Sequence, residues 1–406
     1  MRKIVIPFVK GGGGHRATAL AIAEITRRQQ RDWEFELLDV DEVLEPVDPI
    51  WLIFRIQGGE IYNWTLRHGL TLGHRFLVAV MHGAYRLLHP GQVLVFRRRW
   101  RKMRPDMVLS VTPHVNRALF ESLKKEMPGT PLVTLLTDIA DTPPRFWFEP
   151  QEQHFICGSD RALEQGLAIV GSKDRVHRVS GMVLHPKFHE SKTGDRAAER
   201  KKLGLDPDLP TGLVLFGGFG SRSMVGIARH LARGSIRVQL IFLCGRNPKL
   251  ARKLRALELP FPFYVQEFTD DVVHFMWLSD FFIGKPGPAS ISEALAMHLP
   301  VIVQHGIATL YQERYNVKWI EEQGVGIPVK RNRDMPQAIA DLLEPTTYRR
   351  MRQRIEQLNN RAIFEVPEIL EELLEPQRQI APVIRHEAAA SPAMDAGSIM
   401  AARSDR

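Results

Sequence analysis

Two glycine-rich turns limit what this chain can fold into. Lys10-Gly-Gly-Gly-Gly-His-Arg-Ala17 and Gly217-Gly-Phe-Gly-Ser-Arg222 each follow a short apolar run and precede a helical pattern. Glycine allows a sharp turn there and lets a ligand reach the main chain without meeting a Cβ. A helix starting behind such a turn presents free N–H groups and partial positive charge. Around both turns, apolar runs of strand length alternate with helical patterns, which marks a parallel α/β architecture. The first half offers strands at 3–8, 35–40, 107–111, 132–137, 155–157 and 176–179, with helices over 16–30, 115–127 and 161–170. The second offers strands at 213–216, 238–243, 263–265, 281–283, 301–303 and 327–329. Two Rossmann-like, doubly wound domains in tandem account for this most simply.

The boundary is expected near 181–194, with a charged helix over 195–203 opening the second domain. That gives domains over 1–182 and 183–345, C-terminal helices over 346–375 (347–363 and 367–374), and a tail over 376–406. The tail is rich in Ala, Ser and Pro and lacks apolar content to pack, so disorder is expected there. At 406 residues and 44% hydrophobic, the chain is large enough for two ordinary cores. Cys157 and Cys244 each stand alone in an apolar run, without a C-x-x-C pair. Buried reduced thiols and a reducing, cytoplasmic setting are expected.

The N-terminal run reads as a strand and not as a signal peptide. No stretch approaches the roughly 20 apolar residues that span a bilayer; the longest candidate, 76–81, is flanked by arginine and histidine. Any membrane contact is therefore expected to be peripheral. The formal charge is +9, and the segment 51–105 holds ten Arg or Lys against the single acid Glu60. That concentration points to a local anionic partner.

The first glycine turn is not a Walker A loop, because no Gly-Lys-Ser/Thr follows. Gly12-x-Gly14-x-x-Ala17 fits a dinucleotide fingerprint, with Asp39 at the end of the second strand as the ribose acid. An NAD-binding oxidoreductase is therefore one alternative. His15 suggests another chemistry. A helix N-terminus lowers an imidazole's pKa, and a neutral imidazole can take a proton from a hydroxyl. Asp39-Val-Asp41 and Asp206-Pro-Asp208 spell D-x-D, yet they read as a strand end and a turn. No metal-ligand cluster is expected, and no nucleic-acid module is visible.

The second half carries the more specific signal. Arg222 adds charge beside the second glycine turn. Gly284-Lys-Pro-Gly-Pro-Ala-Ser-Ile-Ser-Glu-Ala-Leu295 stands between a strand and a helix, with Glu293 expected in the first helical turn. A carboxylate there can take two ribose hydroxyls. Gln312-Glu-Arg-Tyr-Asn316 offers amide and carboxylate groups suited to sugar hydroxyls.

Taken with Thr137-Asp138 and Phe268-Thr-Asp-Asp-Val272, these pieces resemble the inverting GT-B glycosyltransferases of family 28. That family includes the diacylglycerol galactosyl- and glucosyltransferases of the monogalactosyldiacylglycerol synthase type. A more distant relative is the peptidoglycan N-acetylglucosaminyltransferase that completes the lipid-linked disaccharide. The resemblance covers about residues 1–345. It implies a GT-B fold, a UDP-sugar donor, a lipid acceptor and no cofactor. Gly218, Gly220, Ser221 and Arg222 would meet the diphosphate, and Phe268, Thr269 and Val272 would lie beside the uracil. Lys285, Gly287, Pro288, Ala289 and Ser290 would line the donor site, with backbone N–H groups of Ala289 and Ser290 on the diphosphate. Glu293 would hold ribose, and Gln312, Glu313 and Asn316 the sugar. His15 and Asp138 would face the acceptor, either one serving as base, with Gly13, Gly14 and Trp147 shaping its site. Ser221-Arg222 departs from the glycine that relatives often have there, and 142–148 matches only loosely.

The stretch 64–104 interleaves basic residues with Trp64, Leu66, Phe76, Leu77, Val80, Tyr85, Leu87, Leu88, Val95, Phe96 and Trp100. Arg97, Arg98, Arg99, Trp100, Arg101 and Lys102 form its densest part, suited to an anionic lipid surface. The expected function is transfer of a hexose from a UDP-sugar to diacylglycerol or a glycolipid, with inversion, at the inner face of a membrane. A sugar-nucleotide epimerase shares the fold and is the enzyme alternative; a non-catalytic peripheral membrane protein is another.

Overall fold

The structure is a computed structural model, and it describes residues 1–10, 13–57, 60, 83–306 and 309–375. Gly11, Gly12, Trp64, Leu66, Phe76, Leu77, Val80 and the tail from 376 lie outside the described residues. Each expected strand forms, its ends shifted by at most two residues. The first sheet holds β1 (Arg2–Phe8), β2 (Trp33–Asp39), β3 (Met107–Ser110), β4 (Leu132–Leu135), β5 (His154–Cys157) and β6 (Val176–Arg178). Its order is β2-β1-β3-β4-β5-β6, parallel throughout. The second holds β7 (Thr211–Leu215), β8 (Gln239–Leu243), β9 (Phe263–Gln266), β10 (Phe281–Gly284), β11 (Val301–Gln304) and β12 (Gly326–Val329). Its order is β12-β11-β10-β7-β8-β9, again parallel.

These strands read as apolar runs because parallel sheets are covered on both faces. In β1, Ile4, Ile6 and Phe8 pack with helices Gly14–Arg28 and Ala362–Leu374, while Val5 turns to the opposite core with Phe96, Trp100 and Leu119. Two further cores flank the second sheet. In each sheet the strand order reverses once, between β1 and β3 and between β7 and β10. At such switch points the loops diverge beyond the strand ends and leave a crevice for ligand.

The helix after β10 spans Pro288–Ala296, so Glu293 lies in its second turn and not the first. Proline at the first helical position has its φ preset and lacks an N–H the helix leaves unbonded there anyway, so the helix starts earlier than expected. The C-terminal helices also divide differently, at Pro345–Leu358 and Ala362–Leu374. Asn359, in the left-handed region at φ 37, ends the former. The latter returns to the first sheet, burying Ile363, Val366 and Leu370 with Ile4 and Ile22. At the crossing, Asn360 donates to the Met182 carbonyl (2.8 Å) and the Arg361 N–H donates to Ser180 Oγ (2.6 Å). A Cβ on Gly181 would lie 2.5 Å from Asn360 Cγ, so glycine alone lets the two crossings touch. Met1–Leu374 thus forms one compact unit.

Candidate active site

The first crevice is built on the β1/β3 switch point. Gly13, at φ 82, caps helix Gly14–Arg28, and among the described residues no atom beyond the adjoining backbone lies within 4 Å of where a Cβ on Gly13 or Gly14 would stand. The turn is open on that side, and it aims His15 across to β3. His15 Nδ1 lies 2.7 Å from the Val111 carbonyl and 3.0 Å from Thr137 Oγ1. A carbonyl only accepts, so Nδ1 carries the proton and Nε2 keeps its lone pair. Burial pushes the imidazole down to about 4, against the opposing pull of the Val111 carbonyl. Burial, and not the helix end expected from the sequence, is the dominant cause of this lowering.

Asp138 follows β4. Its Oδ2 accepts the indole N–H of Trp147 at 2.9 Å. Burial raises its carboxyl to about 7; the Trp147 bond opposes, Glu313 and Asp141 raise it further, and Lys285 lowers it. Asp138 thus feels charges of the second half, so the two crevices face each other. Asp141 fixes the intervening loop by accepting N–H bonds from Arg145, Phe146 and Trp147 at 2.7, 2.9 and 2.8 Å. Trp147 was expected to shape the acceptor site directly. Its side chain is 0% exposed, so it serves as Asp138's donor and as a ring 6.0 Å from His15.

The second crevice is built on the β7/β10 switch point. Gly217 and Gly220 take φ 78 and 60, and Ser221 Oγ accepts the Ser223 N–H at the start of helix Ser223–Leu231. Gly218 crowds no neighbour, and Arg222 is exposed. Gly287 caps helix Pro288–Ala296, leaving Ala289 and Ser290 in its first turn, where N–H groups are free of intrahelical bonds. Glu293 is enclosed enough that burial raises its carboxyl to about 7, with Lys187 pulling the other way.

Phe268 is 45% exposed, and Arg246 stacks 4.5 Å over its ring. Thr269 Oγ1 accepts the Asp271 N–H, and Val272 begins helix Val272–Trp277. Lys285 pairs with buried Glu313. Asn316 Nδ2 donates to the Pro286 carbonyl at 2.8 Å, while its buried Oδ1 has no partner among the described residues. Gln312 stands in the short turn Tyr311–Glu313 beside them. An unpartnered buried acceptor next to an ion-paired carboxylate suits a ligand rich in hydroxyls.

Sequence reasoning missed what holds the second glycine turn. The Arg246 N–H donates to the Gly218 carbonyl (2.8 Å), and Asn247 Nδ2 donates to the Phe219 carbonyl (3.0 Å). A Cβ on Gly245 would meet Gly218 O at 2.3 Å. The readable signal was Gly-Arg-Asn-Pro behind β8, with Asn as helix cap and Pro first in the helix. Thr137 and Val111, which fix His15's tautomer, gave no signal of their own.

The basic segment needs correction. In helix His89–Met103, Phe96, Trp100 and Met103 form the core-facing stripe. Trp100 is 0% exposed and donates to Ser122 Oγ at 2.8 Å, so it is a core residue and not a membrane contact. Val95 and Phe96 are buried too. Arg97 and Arg101 pair with Glu126 at 3.3 and 2.5 Å. Arg98, Arg99, Arg101 and Lys102 are exposed. An apolar surface the sequence reading missed is helix Pro49–Phe54, which exposes Ile50, Leu52, Ile53 and Phe54.

Asp39, the ribose acid of the dinucleotide alternative, pairs with Lys10 (2.6 Å) and caps helix Val40–Leu44. It is thereby committed within the fold. Among the described residues, no three His, Cys, Asp or Glu side chains stand together to hold a metal ion. No helix among them is long and apolar enough to cross a membrane.

Two parallel sheets with facing switch points make this a protein of the GT-B fold. Residues 214–373 match the Glycosyltransferase family 28 C-terminal domain, so the second half carries that domain. The chain is 27% identical to monogalactosyldiacylglycerol synthase, chloroplastic, of Spinacia oleracea, over 85% of this chain and 66% of that protein. It is 27% identical to probable monogalactosyldiacylglycerol synthase 3, chloroplastic, of Oryza sativa subsp. japonica, over 94% of this chain and 76% of that one. The chain thus spans about two thirds of the spinach protein's length. Among solved structures, MurG of Acinetobacter baumannii superposes with a TM-score of 0.58 at 13% identity, over 92% of this chain and 100% of that one. A UDP-N-acetylglucosamine 2-epimerase gives 0.57 at 12% identity, over 92% and 96%. The fold is shared with both proteins.

Proposed function

We propose that this chain transfers a hexose from a UDP-sugar to a lipid hydroxyl, of diacylglycerol or a glycolipid, with inversion at the anomeric carbon. The observation that carries it is the facing of two crevices. One offers a neutral imidazole of fixed tautomer, and the other offers a free helix start beside Glu293, Glu313 and Asn316. The lipid acceptor is favoured by the names of the sequence relatives, which are galactolipid synthases. Residues 1–182 would bind the acceptor and 183–345 the donor. Glu293 would take ribose hydroxyls, the N–H groups of Ala289 and Ser290 the diphosphate, and Gln312, Glu313 and Asn316 the sugar. Phe268, with Thr269 and Val272 behind it, would flank the uracil.

His15 Nε2 would take the acceptor hydroxyl's proton as its oxygen attacks from the face opposite UDP. His15 is half-buried, whereas Asp138 is almost wholly buried and hydrogen-bonded to Trp147. Reach decides before basicity does. Asp138 is the second candidate, favoured by a pKa near the working pH.

Attachment would be peripheral, at the cytoplasmic face of an anionic membrane, through Arg98, Arg99, Arg101 and Lys102 together with exposed Leu52, Ile53 and Phe54. No metal is assigned a role, and turnover is expected in excess chelator. The test is incubation of purified protein with a panel of UDP-hexoses and a total lipid extract. Mass spectrometry should find a hexosylated lipid and free UDP, and NMR should find the anomeric configuration inverted. A lipid pool unchanged while the UDP-sugar is isomerised would instead make the chain an epimerase.

A further inference from the structure

We infer that the second half carries its own contact for an anionic bilayer, on the basic face built by helices Ser223–Leu231 and Pro248–Arg255. The inference rests on the peripheral-membrane reading above and adds a surface to it. Residues 209–257 contain nine Arg or Lys and no Asp or Glu. All nine are exposed. Among the described residues, only Arg255 of the nine forms an ion pair, with Glu267.

The fold gathers these cations on one surface. β8 lies between β7 and β9 and runs parallel to both. Right-handed crossovers made in the same direction put both connecting helices on one face of the sheet. Their apolar sides share a core, Met224, Ile227 and Leu231 of the first with Leu250 and Leu254 of the second. The opposite sides therefore turn outward together, carrying Arg229 on the first helix and Lys249, Arg252 and Lys253 on the second. Arg222 and Arg246 stand in the turns behind β7 and β8, at the cleft. Arg233 and Arg237 stand at the other end, ahead of β8. The charge runs from the lip of the cleft to the far rim of the sheet.

A patch of one sign repels itself, and a polyanion relieves that repulsion. Lipid headgroups fit this face better than nucleic acid does. Single-stranded nucleic acid is held by basic residues together with aromatic rings that stack its bases. The one Phe, Tyr or Trp in 222–257 is Phe242, and it is buried. Basic residues without an apolar neighbour suit attraction to the headgroup plane without insertion. Position favours the bilayer too. The chain crossings at Gly181 and Asn360 share one cavity with Ile139 and Gly158, behind β4 and β5, and with Leu295 and Trp319, on the helices behind β10 and β11. β8 and β9 stand at the other edge of the second sheet, and β2, which leads to exposed helix Pro49–Phe54, at the other edge of the first. Both surfaces thus lie away from the crossings, and one bilayer can meet both halves at the mouth of the cleft.

The test uses the full-length chain with vesicles of phosphatidylcholine alone or of equimolar phosphatidylcholine and phosphatidylserine. Wild type should sediment with the anionic vesicles and not with the neutral ones. Added salt should weaken that binding, because exposed charges are screened beyond about 8–10 Å at ordinary ionic strength. A variant combining Arg229→Gln, Lys249→Gln, Arg252→Gln and Lys253→Gln should bind anionic vesicles about 10–100-fold more weakly, since one basic residue near such a surface is worth about fivefold. Its UDP affinity and its rate on detergent-dispersed lipid should match wild type. Adding Arg98→Glu and Arg99→Glu should weaken vesicle binding further than either set alone. Equal vesicle binding by the four-site variant and wild type would overturn the inference and leave attachment to the first half. Wild type indifferent to anionic vesicles would sink the membrane reading itself. Wild type binding a single-stranded RNA oligonucleotide more tightly than vesicles at the same salt, with that binding lost in the variant, would hand the face to nucleic acid and refute the proposal. If the variant does not fold, hydrogen exchange of wild type decides. Amides of helix Pro248–Arg255 should exchange more slowly on anionic vesicles, and unchanged exchange there would reject the contact.

Discussion

At the scale of single residues, the cleft holds three titratable groups moved away from their ordinary values by burial. His15 is pushed down to about 4, while Asp138 and Glu293 are pushed up to about 7. A base works only unprotonated, so the pH profile identifies it. With His15 as base, the single-turnover rate should stay level from pH 8 down to about 5, falling only as pH approaches 4. With Asp138 as base, it should already fall through pH 7. His15→Ala should lower the rate by about 10²–10⁴-fold and leave UDP affinity nearly unchanged. A near-normal His15→Ala beside an inactive Asp138→Ala would move the base to Asp138. If Glu293 takes the ribose hydroxyls as proposed, its carboxylate form does so best, and UDP affinity should weaken as pH drops below about 7. Glu293→Ala should cost about 1.5–3 kcal/mol of UDP binding and abolish that pH dependence; calorimetry at pH 6 and pH 8 checks both. Raised carboxyls also carry a stability cost. Folded Asp138 and Glu293 keep protons that the unfolded chain, near 3.8 and 4.5, has released. Their contribution to stability therefore falls as pH rises from about 4 to 7.

At the scale of elements, strands and glycine turns were legible because a parallel strand is one apolar run and a glycine turn one cluster of residues. Glu293 and Ser290 are consecutive parts of one helix, so their positions were readable to within a turn. Trp100 misled because an arginine-rich run with a tryptophan reads alike on a surface and on a two-faced helix. Only its packing against Ser122 separates the two. Trp147 and Thr137 depend on contacts distant in sequence, which no local pattern encodes; of the Gly245–Asn247 clamp, the helix cap was readable and its hold on the glycine turn was not. That clamp is testable. Asn247 caps helix Pro248–Arg255 and also holds the Phe219 carbonyl. Asn247→Ala should cost about 0.5–2 kcal/mol of stability, the usual range for a lost cap. It should also weaken UDP binding, because the glycine turn loses an anchor; unchanged UDP affinity would leave Asn247 as a cap alone. On helix His89–Met103, Arg97 and Arg101 already serve Glu126, whereas Arg98 and Arg99 point into solvent. Replacing Arg98 and Arg99 by Glu should lower co-sedimentation with anionic vesicles and spare thermal stability. Equal sedimentation of variant and wild type would remove the helix from the membrane contact.

At the scale of the whole molecule, the chain leaves the first sheet through Ser180–Met182 and returns to it through Asn360–Ala362, at one spot. Arg31 then fastens helix Ala362–Leu374 by bonding Glu368, Glu371 and the Pro367 carbonyl. Gly181→Val should wedge these crossings apart, since even a Cβ there meets Asn360 at 2.5 Å. The expected outcome is a lower Tm and a slower single-turnover rate, with UDP affinity close to wild type because the residues proposed to hold the donor are untouched. A fall in UDP affinity as large as the fall in rate would contradict this.

A panel hung on one pin can swing and swivel; a second pin beside the first leaves it a single arc. The paired passages of the chain do the same here. On the proposed function, a sugar held by one leaf would keep to a fixed path and meet the imidazole in one orientation. Much of the alignment that a two-substrate reaction requires is then settled when the chain folds, and is not searched for again at every turnover.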